Sequence, residues 1–102
     1  MNPNSENQSL VVTAFWEVNS GEEAAIASLL KDFVSKAQQE PGVTEFKIHQ
    51  NIAKPREFFF YEVFKGEAAF ADHQQTQHFK EIIVAQAIPK LAKRERAQFR
   101  MI

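Results

Sequence analysis

The chain has no cysteine, which removes disulfides, thiolate metal sites and thiol nucleophiles from consideration. Only three glycines occur in its 102 residues, and none belongs to a phosphate-binding loop, a dinucleotide fingerprint or a serine elbow. No apolar run approaches the roughly 18 residues that a membrane-spanning helix needs. The polar opening MNPNSENQS is not read as a secretory signal, so a cytoplasmic protein is expected. Neither sign of charge dominates: 12 Lys and Arg stand against 13 Asp and Glu, for a formal charge of −1. Nucleic acid is therefore not an expected partner. Nor is a membrane, because the one basic stretch, Lys90 to Arg96 (KLAKRER), reads as a solvated face near the final strand.

What the chain does have is phenylalanine, ten of them, within a hydrophobic fraction of 44%. That supports a single modest core and leaves no room for a second domain. Residues 1–9 read as a loose polar arm and 10–102 as one domain. LVVTAFWEV (Leu10 to Val18) is β-branched and aromatic, as a strand requires. Ser20 and Glu23 have the spacing of a capping box, followed by Ile26, Leu29, Leu30, Phe33, Val34 and Ala37 as one helical stripe that Pro41 and Gly42 end. Val43 to Asn51 alternates as a second strand, Lys54-Pro55-Arg56 makes a turn, and Glu57 to Phe64 forms a third strand. A helix with Phe70 and His73 comes next. Thr76 is placed to cap another, carrying Phe79, Ile82, Ile83 and Ala87 inward until Pro89. Arg96 to Ile102 alternates as a fourth strand. The order is β-α-β-β-α-β with a broken second helical segment, an α+β, ferredoxin-like split arrangement on a four-stranded antiparallel sheet.

Helices on one side cover only one face of such a sheet. Phe15 on the first strand and Phe59, Tyr61 and Val63 on the third point to the other face, so a homodimer packed sheet against sheet is expected. On the covered face, one acid, Glu62, shares its parity with Phe58, Phe60 and Phe64. A carboxyl in so apolar a stretch must find a partner, reach water or keep its proton.

The segment FFFYEVFKGEAAFADHQQTQHF (Phe58 to Phe79) resembles the signature of the antibiotic biosynthesis monooxygenase domain. It has an aromatic strand ending in Y-E-x-aromatic, a short acidic turn, then A-x-x-x-H and T-x-H-aromatic. Tyr61, Glu62, His73, Thr76, His78 and Phe79 match that pattern, and with the preceding helix and PGVTEFKIHQN the likeness spans Leu10 to Ile102. It implies a dimeric α+β barrel and an activity drawn from a wide set: cofactor-free oxygenation of quinols or aromatic polyketides, isomerisation of small phosphorylated ketones, haem degradation, or none known. The haem-degrading branch resembles a site with asparagine, tryptophan and histidine where this chain has Ala14, Phe64 and Ile83, which disfavours haem cleavage.

Within that likeness the expected site is a small aromatic cavity bounded by Trp16, Phe60, Phe64, Phe70 and His78, binding a small aromatic or quinol-like substrate without a cofactor. His73, whose ordinary pKa lies near working pH, is the candidate base; Glu62 would orient its imidazole. The plainer alternative for this pair is a buried tie between helix and sheet without turnover, and for His78 a hydrogen bond behind the site. No metal is expected, since His73 and His78 are five residues apart across a break. The expected function is a cofactor-independent monooxygenase. The alternatives are an isomerase of a small oxygenated carbonyl compound and a non-catalytic ligand-binding or stress-related dimer.

Overall fold

The computed structural model describes residues 8–102. Apart from its last two residues, the arm expected over 1–9 lies outside the described residues. The elements are β1 (Leu10–Val18), α1 (Glu23–Ala37), β2 (Val43–Gln50), β3 (Glu57–Phe64), α2 (Glu67–Gln74), a π-helical segment (Phe79–Ala87), a 3-10 turn (Ile88–Lys90) and β4 (Leu91–Arg100). The four strands pair antiparallel in the order β2-β3-β1-β4, so the split β-α-β-β-α-β arrangement is present. Among the described residues no helix is long and apolar enough to cross a membrane.

Strand parity sorts the sheet into two unlike faces. Val12, Trp16 and Val18 of β1 and Phe58, Phe60, Glu62 and Phe64 of β3 are buried. Against them pack Ile26, Leu30, Phe33 and Ala37 of α1 and Ile82, Ile83 and Ala87 of the π-helical segment, each large apolar side chain contributing about 1.5–3 kcal/mol of transfer free energy. On the opposite face Phe15 pairs across the ladder with Phe59, and Val11 with Phe99. Phe59 and Phe99 are exposed there, and His49 stacks on Phe59 at 6.1 Å.

Two local expectations are corrected. The capping box of Ser20 and Glu23 does not form: Gly21 takes φ +90° and the Glu22 N–H donates to the Asn19 carbonyl at 3.0 Å. That turn delays α1 to Glu23, without a side-chain cap. The last strand begins at Leu91 instead of Arg96. β1 is an inner strand whose backbone groups need partners along its whole length, and an edge strand can supply them while its charged side chains stay in water. Elsewhere the reading holds: Thr76 Oγ1 accepts from the Phe79 N–H at 3.2 Å, and Pro89 falls in the 3-10 turn after the helix.

Candidate active site

The β2-proximal half of the helical layer is held by one carboxylate. Glu40, just beyond α1, lies 3.0 and 2.9 Å from Nδ1 of His73 through its two oxygens, and its Oε2 lies 2.6 Å from Nε2 of His78. His73 is on α2 and His78 immediately precedes the π-helical segment, so Glu40 fastens three elements to one another. Thr76 tightens the intervening break, its hydroxyl donating to the His73 carbonyl at 2.8 Å. The imidazole of His73 is packed among the rings of Phe33, Phe46, Phe64, Phe70 and Phe79, with centroids 5.1–6.4 Å away. With Nδ1–H donating to Glu40, Nε2 is left as the acceptor, the tautomer that such a partner enforces.

The other wall is the sheet. Trp16 and Phe60 meet at 4.6 Å between centroids, and with Ala14, Glu62, Phe70, His73 and Phe79 they bound a cavity of about 60 Å³ whose rim includes Arg94 and Arg96 of β4. Well below the roughly 150 Å³ of a cavity that holds benzene, the hollow has room for part of a single ring. Glu62 is only 6% exposed, yet among the described residues no hydrogen bond or ion pair reaches its carboxyl. Burial pushes its pKa up to about 8 even though Arg96 pulls the other way; the charge of Glu40 adds to the rise. Burial also lowers the pKa of His73, against the hydrogen bond and charge of Glu40, and His78 lowers it further. Near neutral pH the hollow therefore holds an acid that keeps its proton and an imidazole that lacks one, the separation that acid–base chemistry requires.

The sequence-predicted residues are not all gathered there. Trp16, Phe60, Glu62, Phe70 and His73 line the cavity. Phe64 does not: it is fully buried behind the imidazole, 5.1 Å from both Phe70 and His73. His78 is turned to Glu40, as its second-layer reading has it. The hydrogen bond expected between Glu62 and His73 is replaced by the one from Glu40. Glu40 was invisible to strand and helix patterning, although an acid just past a helix C-terminus, against the helix dipole, signals a partner elsewhere. Phe33 and Phe79 have the spacing of core residues, and Arg94 and Arg96 lie in the basic stretch whose pattern is that of a solvated face, yet all four line the cavity. Among the described residues no group of three or more His, Cys, Asp or Glu side chains is arranged so that it could hold a metal ion.

Comparison with other proteins agrees with this architecture. A conserved protein of Methanosarcina mazei superposes with a TM-score of 0.87 at 22% identity, covering 96% of this chain and 97% of that one. A Pseudomonas aeruginosa protein gives 0.85 at 22% identity, covering 93% and 95%. A candidate antibiotic biosynthesis monooxygenase of Nitrosomonas europaea gives 0.82 at 20% identity, covering 94% and 92%. At such identities the likeness is one of fold. In sequence, an uncharacterised Synechocystis protein is 26% identical over 74 residues, 72% of this chain and 50% of that protein; the chain thus spans about half the length of the curated relative it matches. The model of the family described as antibiotic biosynthesis monooxygenase matches residues 9–85, a stretch that contains Glu40, Glu62, His73 and His78, and the chain belongs to that family.

Proposed function

We propose that the chain is a cofactor-independent monooxygenase of a small phenolic or quinol-like aromatic, working in the cytoplasm as a homodimer joined through the outer sheet faces. One observation carries the reaction: His73, anchored by Glu40 through Nδ1, and Glu62, whose carboxyl has no hydrogen-bonding partner among the described residues, line the same aromatic-walled hollow. The exposed Phe59 and Phe99, beside the half-buried Phe15 and Tyr61, support the dimer; a monomer in sedimentation at micromolar concentration would remove it.

A phenol entering ring-first meets Trp16, Phe60 and Phe70, walls suited to a flat apolar body. Its O–H proton passes to Nε2 of His73, and Glu40 steadies the imidazolium that results. The phenolate ring, now electron-rich, combines with dioxygen at a ring carbon, forming a C–O bond, and the Glu62 carboxyl gives its proton to the outer oxygen. When that carbon loses its hydrogen as a proton to Glu62, the O–O bond breaks, a carbonyl forms and hydroxide leaves; the proton on His73 turns it into water. The substrate supplies all four electrons, one oxygen atom stays on the ring and both side chains are restored.

The test is oxygen uptake by metal- and flavin-free protein over a panel of phenols and hydroquinones, using labelled dioxygen. One labelled atom should enter the product and one the water, and H73A should slow uptake by about 100-fold or more. Silence across the panel would defeat the reading. Solvent deuterium entering a carbonyl substrate without oxygen loss would move the same residues to isomerase chemistry.

A further inference from the structure

The cavity rim carries two cations that the reaction above does not use. Arg94 and Arg96 alternate on β4 and pair in register with Trp16 and Ala14 of β1, so parity brings both to the face on which the hollow lies. Both are exposed and both line the opening. Arg96 sets its guanidinium 5.2 Å from the centre of the Phe70 ring. Among the described residues neither arginine makes an ion pair or a side-chain hydrogen bond. Other cations of this chain are occupied: Lys93 by Glu95, Lys90 by Glu22 and Arg100 by Glu67.

The acids nearby do not neutralise this pair. Glu95, also at the rim, lies between the two arginines in sequence, takes the opposite parity and has Lys93 Nζ at 3.4 Å. Glu62 is buried without a hydrogen-bonding partner, so at neutral pH it keeps its proton and repels no anion. The rim is thus positive in front of an uncharged apolar hollow. Because the cavity admits only the leading edge of a ring, whatever the ring carries at its trailing edge comes to rest beside these two guanidiniums. Planar forks of this kind pair with carboxylates through two parallel hydrogen bonds.

We infer that the substrate is an aromatic carboxylic acid, a phenol or hydroquinone whose carboxylate is gripped at the cavity mouth by Arg94 and Arg96. The inference rests on the proposed function for the position of the ring, and supplies what that reading lacks, the group that distinguishes the true substrate from other phenols. Arg94 and Arg96 are specificity residues here. They touch the anionic substituent and leave the reacting carbon to His73 and Glu62.

The test is calorimetric titration, without oxygen, of 2,5-dihydroxybenzoate and its methyl ester, which differ chiefly in charge. The unaltered protein should bind the acid about tenfold more tightly or better, as charge-assisted hydrogen bonds to a half-exposed pair would give, and that preference should shrink as salt rises. R94Q/R96Q should lose the preference and bind the ester as before, while R94K/R96K retains part of it. Equal binding of acid and ester, binding of neither, or equal weakening of both in R94Q/R96Q would overturn the inference. So would a double variant that changes only the oligomeric state. Oxygen uptake separates the two claims: an arginine-dependent preference for the acid without uptake defeats the monooxygenase and keeps the anion site, whereas uptake with no preference does the reverse.

Discussion

Glu40, just beyond α1, and Glu62, on β3, bring the same functional group into the protein from two directions. Their burial is similar, with the Glu40 side chain 11% exposed and the Glu62 residue 6%. Their company is not. Glu40 is met by two imidazoles within 3.0 Å, whereas Glu62 is met by aromatic rings and open space. Desolvation alone therefore does not decide what a buried carboxyl does; the supply of hydrogen-bond donors does. One carboxyl ties elements together and the other keeps its proton inside a hollow.

The largest expected effect comes from breaking Glu62. Its pKa is near 8 in the fold against about 4.5 in a free chain, so between those limits the folded state holds a proton that the unfolded state releases. Stability must then fall as pH rises across that window, by up to roughly 5 kcal/mol in the limit. His73 has the opposite sign. Its lowered pKa makes its contribution complete above 6.5 and lost as pH falls through the folded value. The two slopes oppose each other on the acid side, and Glu62 acts alone between 6.5 and 8. Urea unfolding across pH 6–9 should show a decline that E62Q flattens. An identical decline in E62Q would mean that the proton is held elsewhere.

The contrast between the two acids also shows how far sequence reasoning reaches. Glu62 was legible because its neighbours are Phe60 and Phe64 and the two-residue period of a strand fixes which face it shares. The order of elements along the chain and the cap at Thr76 follow from equally local signals. Glu40 was not legible, since its bonds to His73 and His78 span 33 and 38 residues and depend on how α1 ends above α2, which no periodicity encodes. β4 failed for a related reason. KLAKRER has no apolar alternation, yet Arg94 and Arg96 are in register with Trp16 and Ala14 because β1 requires a partner, so pairing was imposed by the neighbouring strand. The π-helical turn of Phe79–Ala87, in which the Ile88 N–H donates to the Ile83 carbonyl, likewise left no mark on the three-four spacing of its apolar residues.

A smaller effect, opposite in sign to a packing change at Glu62, is expected at Glu40. E40L removes the oxygens that both imidazoles meet, so the His73 N–H and the His78 ring lose their partner inside the protein. Removing half of such a buried arrangement costs about 3 kcal/mol. E62L, which replaces an unpartnered polar group by an apolar one, should be neutral or stabilising by about 1 kcal/mol. Urea midpoints at pH 7 check both. Equal destabilisation by E40L and E62L would erase the distinction between the carboxyl that has donors and the one that has none.

The finest test leaves both acids intact and moves the loop that carries one of them. Gly42 follows Glu40 by two residues, and its carbonyl accepts from the Lys65 N–H at 2.9 Å, which pins the loop to the end of β3. A Cβ built on Gly42 would stand 2.5 Å from the Cβ of Ala69 and 3.3 Å from its Cα, well inside the roughly 3.5–4.0 Å at which carbons attract. The loop is held on one side, so α2 must yield, and α2 carries His73 one turn beyond Ala69. G42A should therefore lose about 1–2 kcal/mol through strain on the Glu40–His73 bond, leaving the Glu62 side of the cavity in place. A69G reopens the space at its own helix cost of about 1 kcal/mol, so the double variant should be more stable than the sum of the single changes predicts, by about 1 kcal/mol. If the two effects simply add, the loop and α2 are not in the tight contact that positions the imidazole, and the rigidity assigned to the Glu40 side of the molecule comes from its hydrogen bonds alone.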